Sequence, residues 1–377
     1  MKHVVIAGYA RSPFTPAKKG ELARVRPDDL LAQTIKGLVD KTGLDLADVE
    51  DVIVGCAFPE GEQGFNVARI ASFLAELPIG IPGATVNRFC GSSMQAIHMA
   101  AGAIQMGAGE VFLCAGVESM TRVPMGGFNP MPNPELYQSY PQAYVSMGET
   151  AENLAKQYSI PRQRQEEFSV KSQQKAAAAQ AAGRFEDEIV PIENGSLVTR
   201  DGCPRPDTTL EALAELKLAF DQKGTVTAGT SSPLTDGASV VIVCSEEYAQ
   251  KKGLKPLARI KAIAISGCAP EVMGLGPVLS TRKALERAGL QLSDIDVVEL
   301  NEAFAAQSLA VIEELGLDVE KVNLDGGAIA MGHPLGASGA RITGKAASIL
   351  SREGKRYALA TMCIGGGQGI ATVLEAV

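Results

Sequence analysis

The sequence has 377 residues, length enough for about two domains of roughly 150 residues each, and its 46% hydrophobic and 21% charged content is a globular balance that excludes disorder as a reading. A net charge of −8 argues against a broad nucleic-acid surface, which needs clustered cations, although a few lysines and arginines around one pocket suffice for a small polyanion. Seven cysteines without close paired spacing support neither a disulfide framework nor a zinc site, so each is a small buried hydrophobe or a reactive thiol in a reducing compartment.

The first apolar run, Val4-Val5-Ile6-Ala7, is too short for a secretory core and reads as a strand entered at once. No later stretch approaches the ~20 apolar residues that span a bilayer. Leu30 to Val39 has helical amphipathic spacing, and Val52-Ile53-Val54 reads as a short strand. Thr85-Val86-Asn87 leads into Arg88-Phe89-Cys90-Gly91-Ser92-Ser93, followed by a small-residue helix from Met94 to Met106 and a buried strand, Val111 to Ala115. Residues 121–146, rich in Pro, Gly, Asn and Tyr, carry a loop signature, and a polar helical stretch runs from about Glu149 to Gly183. Residues 121–232 therefore read as an insertion, after which the first domain resumes with Ser239 to Cys244.

The second half repeats the first. Thr42-Gly43-Leu44-Asp45-Leu46-Ala47-Asp48 finds its counterpart in Ala288-Gly289-Leu290-Gln291-Leu292-Ser293-Asp294, each copy preceded by an amphipathic helix and followed by a short strand. Lys321-Val322-Asn323 precedes a glycine-rich loop around His333, as Thr85-Val86-Asn87 precedes the Cys90 loop, and Ala358 to Met362 mirrors Val111 to Ala115. Strands alternating with helices predict α/β layers. The expected division is residues 1–120 with 233–254, an inserted loop domain 121–232, and residues 255–377, the two halves bringing equivalent loops to one site.

Cys90 stands where a strand gives way to a helix, and unpaired N–H groups with the positive end of the macrodipole favour its thiolate. From local context alone, a buried packing cysteine is an equal reading. A nucleophilic thiol needs a base, and the only histidines are His3, His98 and His333. His3 lies beside the terminus. His98 follows Cys90 on the same helix, about 12 Å away at 1.5 Å per residue, and reads as a core histidine. His333, in Gly332-His333-Pro334-Leu335-Gly336, is the better base. Cys363 ends a strand before Ile364-Gly365-Gly366-Gly367, whose N–H groups could stabilise an oxyanion. Asn301 also ends a strand; alone, such an Asn is a turn former more often than a catalyst. Gly339 to Ala346 imitates a phosphate-binding loop but lacks its Ser/Thr and does not follow a strand.

With these residues in order, the chain resembles the thiolase family nearly end to end: Asn87-Arg88-Phe89-Cys90-Gly91-Ser92-Ser93, Asn301-Glu302-Ala303-Phe304, Gly332-His333-Pro334-Leu335-Gly336 and Cys363-Ile364-Gly365-Gly366-Gly367-Gln368-Gly369. The resemblance implies duplicated mixed-sheet α/β halves in a five-layer αβαβα arrangement. It implies an acyltransferase in which His333 activates Cys90, Cys90 carries the acyl group, and Cys363 handles the second proton. Backbone N–H groups of Cys90 and Gly365 would form one oxyanion site, and Asn301 with His333 the other. Gly224 to Ser232 is similar to the family's coenzyme A segment, and the resemblance gives Ser232, Lys217 and Met147 as coenzyme contacts. Lys217 stands where many members carry Arg; it keeps the charge but lacks the planar group that stacks on adenine. Met147-Gly148-Glu149-Thr150 leans toward degradative 3-ketoacyl-CoA thiolases, and Ser146 replaces a His of some biosynthetic members that condense two acetyl-CoA.

The family likeness further implies acyl-CoA and coenzyme A as substrates, no metal and no permanently bound cofactor. It implies a homodimer or, through residues 121–146, a homotetramer, with room for a multifunctional β-oxidation subunit as partner and a cytoplasmic location. Two competing readings are weaker. A carrier-protein ketoacyl synthase needs a second histidine that His3 and His98 are badly placed to supply, and a silent lipid-binding relative would not need all of Cys90, Asn301, His333 and Cys363.

Overall fold

The computed structural model describes residues 2–377. Strands Val4–Arg11 (β1), Asp51–Gly55 (β2), Gly83–Val86 (β3), Val111–Ser119 (β4), Thr235–Ser245 (β5), Ala258–Gly267 (β6), Val297–Leu300 (β7), Tyr357–Ile364 (β8) and Gln368–Glu375 (β9) lie in the order β7-β8-β9-β6-β1-β5-β4-β2-β3. Thr15–Pro16 pairs with β5 and completes a ten-stranded sheet.

The sequence repeat is a repeat of topology. In the first half β1 pairs antiparallel with β5, β5 antiparallel with β4, β4 parallel with β2, and β2 parallel with β3. In the second, β6 pairs antiparallel with β9, β9 antiparallel with β8, and β8 parallel with β7. A parallel bridge from Val298 to Val322 then stands where β3 stands in the first half. The helices Pro27–Thr42 (α1) and Gly276–Ala288 (α6) both stop on a left-handed glycine, Gly43 at φ 63° and Gly289 at φ 66°, a conformation that only glycine adopts freely. The halves join edge to edge where Val5 and Ile6 of β1 pair with Arg259 and Ala258 at the start of β6.

Strand alternation makes the layers. Val52 and Val54 of β2 face α1 and Val67–Leu74 (α2), packing with Leu31, Ile35, Leu38 and Ala71. Ile53, between them, points the other way, into a central layer built from Ser92–Gln105 (α3) and Leu335–Glu353 (α8). Ala358 and Met362 of β8 reach that layer from the opposite side, while Leu359 faces outward. There Val278, Leu285, Val311 and Ile312 cover the second half from α6 and Ala305–Leu315 (α7). The succession is helix, sheet, helix, sheet, helix: the five layers expected.

The central pair is tightly fitted. A Cβ on Gly116 would lie 2.2 Å from the carbonyl oxygen of Gly336, backbone that has nowhere to retreat. Gly116→Ala is therefore expected to lower unfolding free energy by about 2–3 kcal/mol, seen as a lower denaturant midpoint at unchanged slope.

Residues 121–232 carry helices Met147–Gln157 (α4) and Arg162–Ala181 (α5) and a two-stranded ribbon, Ile192–Glu193 with Leu197–Val198. They are bolted to β1 by the buried Arg11 guanidinium, which donates to Asp201 at 2.6 and 2.8 Å and to Glu188 at 2.8 Å. Among the described residues no helix is long and apolar enough to cross a membrane.

Candidate active site

Cys90 is aimed by the turn before it. Asn87 Nδ2 donates to the Ala57 carbonyl at 3.0 Å while its Oδ1 accepts from Phe89 N–H at 2.8 Å. Phe89 takes a left-handed φ of 41° and packs against Phe58, ring centroids 6.0 Å apart. This costly conformation is held by its neighbours: Ser92 Oγ accepts from Arg88 N–H at 2.9 Å and donates to the Phe89 carbonyl at 2.6 Å. Cys90 thus sits on a 3-10 turn that runs into α3, 8% exposed. The N–H groups of Gly365 and of Cys90 itself favour the thiolate, as expected of this position. Burial outweighs them and, with the Glu118 charge, pushes the thiol up to about 11. The resting group is a neutral thiol, so it depends on a base.

His333 is buried just ahead of α8, its N–H donating to Thr235 Oγ1 at 3.1 Å. Its Nδ1 meets Ser338 Oγ at 2.5 Å. Because that hydroxyl donates to the Pro334 carbonyl at 3.1 Å, Nδ1 carries the ring proton and Nε2 the lone pair. Nε2 faces Asn301 Nδ2 at 3.3 Å, an amide that can only donate. Burial, helped by the Arg341 charge, lowers the imidazole pKa to about 3. At neutral pH the ring is an uncharged base with its lone pair presented. Asn301 is fully buried, and its Oδ1 has no partner among the described residues.

Cys363 ends β8 and is fully buried; burial holds its thiol well above the usual range, and the Cys90 charge adds to this, so the two sulfurs sense each other. The turn to β9 passes through Gly366 and Gly367, at φ 78° and 80°. The Cys90 turn rests on the same strand end: a Cβ on Gly91 would touch Ile364 Cδ1 at 2.5 Å. Met147 lies over Gly365, its Sδ 3.5 Å from where that residue's Cβ would stand, and Cys363 shares an apolar cluster with Phe304, Ala303 and Met273. Ser232 donates its N–H to Ala303 O at 3.0 Å, beside a bridge between Ser231 and Phe304. Lys217 is exposed, in a segment whose Phe220 meets Phe304 edge-on at 5.8 Å.

Cys90, Cys363, Gly365 and Met147 thus lie together; His333 and Asn301 form a second pair, with Ser232 on the loop that meets Ala303 and Lys217 exposed. Ser146 caps α4, its Oγ accepting from Glu149 N–H at 3.4 Å. His98 is a core residue, its Nε2 bonded to Thr372 Oγ1 at 2.8 Å. Sequence reasoning missed the side chains that hold the base, Thr235 and Ser338, and missed Glu118. The available signal was polarity in apolar company: Glu118 follows Val111 to Val117, a strand buried throughout.

The thiolase N-terminal domain family matches residues 4–247, and the thiolase C-terminal domain family matches residues 254–376. The chain is 46% identical, over the full length of both proteins, to a 3-ketoacyl-CoA thiolase of Bacillus subtilis (strain 168). It is 51% identical, again over both full lengths, to one of Pseudoalteromonas translucida (strain TAC 125). The crystal structure of human mitochondrial 3-ketoacyl-CoA thiolase superposes with a TM-score of 0.92 at 39% identity, covering 100% of this chain and 99% of that one.

Proposed function

The chain belongs to the thiolase family, and from that premise we propose that it cleaves 3-ketoacyl-CoA with coenzyme A, yielding acetyl-CoA and a shortened acyl-CoA in fatty acid β-oxidation. It is an acyltransferase. The observations that support this reading are a neutral, buried Cys90 thiol and a neutral, buried His333 whose unprotonated Nε2 faces Asn301.

His333 Nε2 takes the Cys90 proton as the sulfur attacks the 3-keto carbon. The oxyanion formed on the attacked carbon is assigned to the N–H groups of Cys90 and Gly365, the backbone donors that lie at the Cys90 sulfur. The bond between the α and β carbons breaks, leaving an acyl group on Cys90 and the enolate of acetyl-CoA. Cys363, a thiol at rest, protonates that enolate carbon and becomes a thiolate. That thiolate deprotonates the incoming coenzyme A, whose sulfur displaces the acyl group from Cys90, and the departing Cys90 sulfur takes its proton back from His333. Asn301 and His333 serve the thioester oxygen as it gains charge. Every proton in the cycle is moved by these protein groups, with acyl-CoA and coenzyme A as substrates.

Ser232 and Met147 are assigned to the pantetheine arm and Lys217 to the charged end of the coenzyme. In this reading residues 1–120 with 233–254 supply the nucleophile, residues 255–377 the base and acid, and residues 121–232 the coenzyme lining. A homodimer is supported by β3, the outermost strand of the first half, and by Phe65 and Ile79 beside it, 92% and 79% exposed. Exposed Met125, Phe128, Met131 and Tyr137 leave the 121–146 loop apolar surface for a tetramer contact or a β-oxidation subunit. Reduced Cys90 and Cys363 fit a reducing cytoplasm. The test is production of acetyl-CoA from a long-chain 3-ketoacyl-CoA only when coenzyme A is added. Turnover of acetoacetyl-CoA alone would instead indicate the acetyl-CoA-condensing relatives' role.

A further inference from the structure

Glu118, at the end of β4, is 1% exposed, and all its donors are neutral groups. It accepts from Phe58 N–H at 3.2 Å and Gln63 Nε2 at 2.8 Å on one oxygen, with the Cys56 thiol at 3.8 Å. Its Oε2 accepts from Ala57 N–H at 2.8 Å and from Gly336 N–H at 2.9 Å. Those two donors belong to opposite sides of the catalytic pair. Ala57 is the residue whose carbonyl anchors Asn87 ahead of Cys90. Gly336 lies in the first turn of α8, three residues beyond His333 in the sequence. The approach is too close for side chains to span: a Cβ on Gly336 would lie 2.8 Å from Cys56 Cα and from the Gly55 carbonyl oxygen.

Burying a carboxylate without a cation is expensive, and packing alone never requires it. We infer that Glu118 is a positioning residue: by holding Ala57 and Gly336 on one oxygen, it fixes the Cys90 thiol and the His333 base at reacting distance across the junction of the two halves. The inference rests on the thiolase reading above. Thr235, which receives the His333 N–H, is a second tether from the first half to the same loop. The base thus comes from one half and its bearings from the other.

The test is Glu118→Gln in the full chain, assayed with 3-ketoacyl-CoA and coenzyme A. The amide nitrogen cannot accept, so the two donors on one oxygen lose their partner: Phe58 N–H with Gln63, or Ala57 N–H with Gly336 N–H. We expect kcat to fall about 100-fold, with KM for both substrates within about threefold, the mark of lost alignment rather than lost binding. Removing a negative charge near Cys90 also moves the pH midpoint of its alkylation by iodoacetamide downward. A merely structural defect would instead reduce the fraction of chains whose Cys90 is alkylated, with kcat per reactive Cys90 unchanged. A kcat within about twofold of wild type, a rise in KM alone, or a kcat loss fully matched by loss of reactive Cys90 overturns the inference. Should the variant not fold, Gln63→Leu keeps the carboxylate and removes one donor; a kcat loss of about fivefold at constant KM is expected, and an unchanged kcat overturns the inference. Inactive wild-type protein would be a failure of the functional reading instead.

Discussion

Replacing Cys90 by Ala is expected to lower thiolysis by a factor on the order of 10⁵ while leaving the fold intact. The thiol donates no hydrogen bond that the structure relies on, and its environment, formed by Leu335, Ile364 and Met94 among others, accepts a smaller side chain with a modest cavity. What disappears is the only atom placed to bond the acyl carbon, so no acyl-enzyme forms. The measurement is steady-state turnover beside a thermal melt. Near-native turnover with a native melt would remove Cys90 from the mechanism.

His333→Ala should cost between about 10² and 10⁴ in acylation rate near neutral pH, and the pH dependence should change shape as well as height. In the native protein the imidazole pKa is about 3 and the Cys90 thiol is at about 11, so neither partner changes protonation across the neutral range. Wild-type acylation is therefore expected to be nearly level from about pH 5 to about pH 9, since the proton passes within the pair. Without the imidazole, attack depends on the thiolate fraction, which grows about tenfold per pH unit until the thiol's own pKa is reached. A steep rise in the variant beside a level wild type is the expected result, read as single-turnover acylation. A wild-type profile that titrates near pH 6 to 7 would show a solvated histidine and contradict the buried-pair account.

Much of this was legible in the chain because it depends on local chemistry or on repetition. Gly43 and Gly289 stand at the same place in both copies of the repeat, and both stop a helix; Thr85-Val86-Asn87 and Lys321-Val322-Asn323 match before each loop, the first ending a strand and the second making only a bridge. Cys90, Asn301 and Cys363 could be picked out because each lies at or just beyond a strand end beside small residues, and His333 because histidine is scarce and it stands among glycines. The state of the nucleophile could not be read in this way. A helix N-terminus argues for thiolate, yet burial by β8 and α8, elements more than 240 residues away, overrides it. Glu118 escaped notice for the same reason. Its donors come from two segments distant in sequence, residues 56–63 and the start of α8, and nothing in Val117-Glu118-Ser119 says which groups it will receive. The continuity of the sheet across the two halves, made by only two residue pairs between β1 and β6, also left no mark in the hydrophobic pattern.

The central claim is that Cys90 carries the acyl group, and the direct measurement is mass spectrometry of the intact protein and its peptides after mixing with a 3-ketoacyl-CoA in the absence of free coenzyme A. The account predicts one acyl increment per chain, located on the peptide containing Cys90 and discharged when coenzyme A is added. An increment on Cys363 instead, or none at all while acetyl-CoA is still produced, would contradict it.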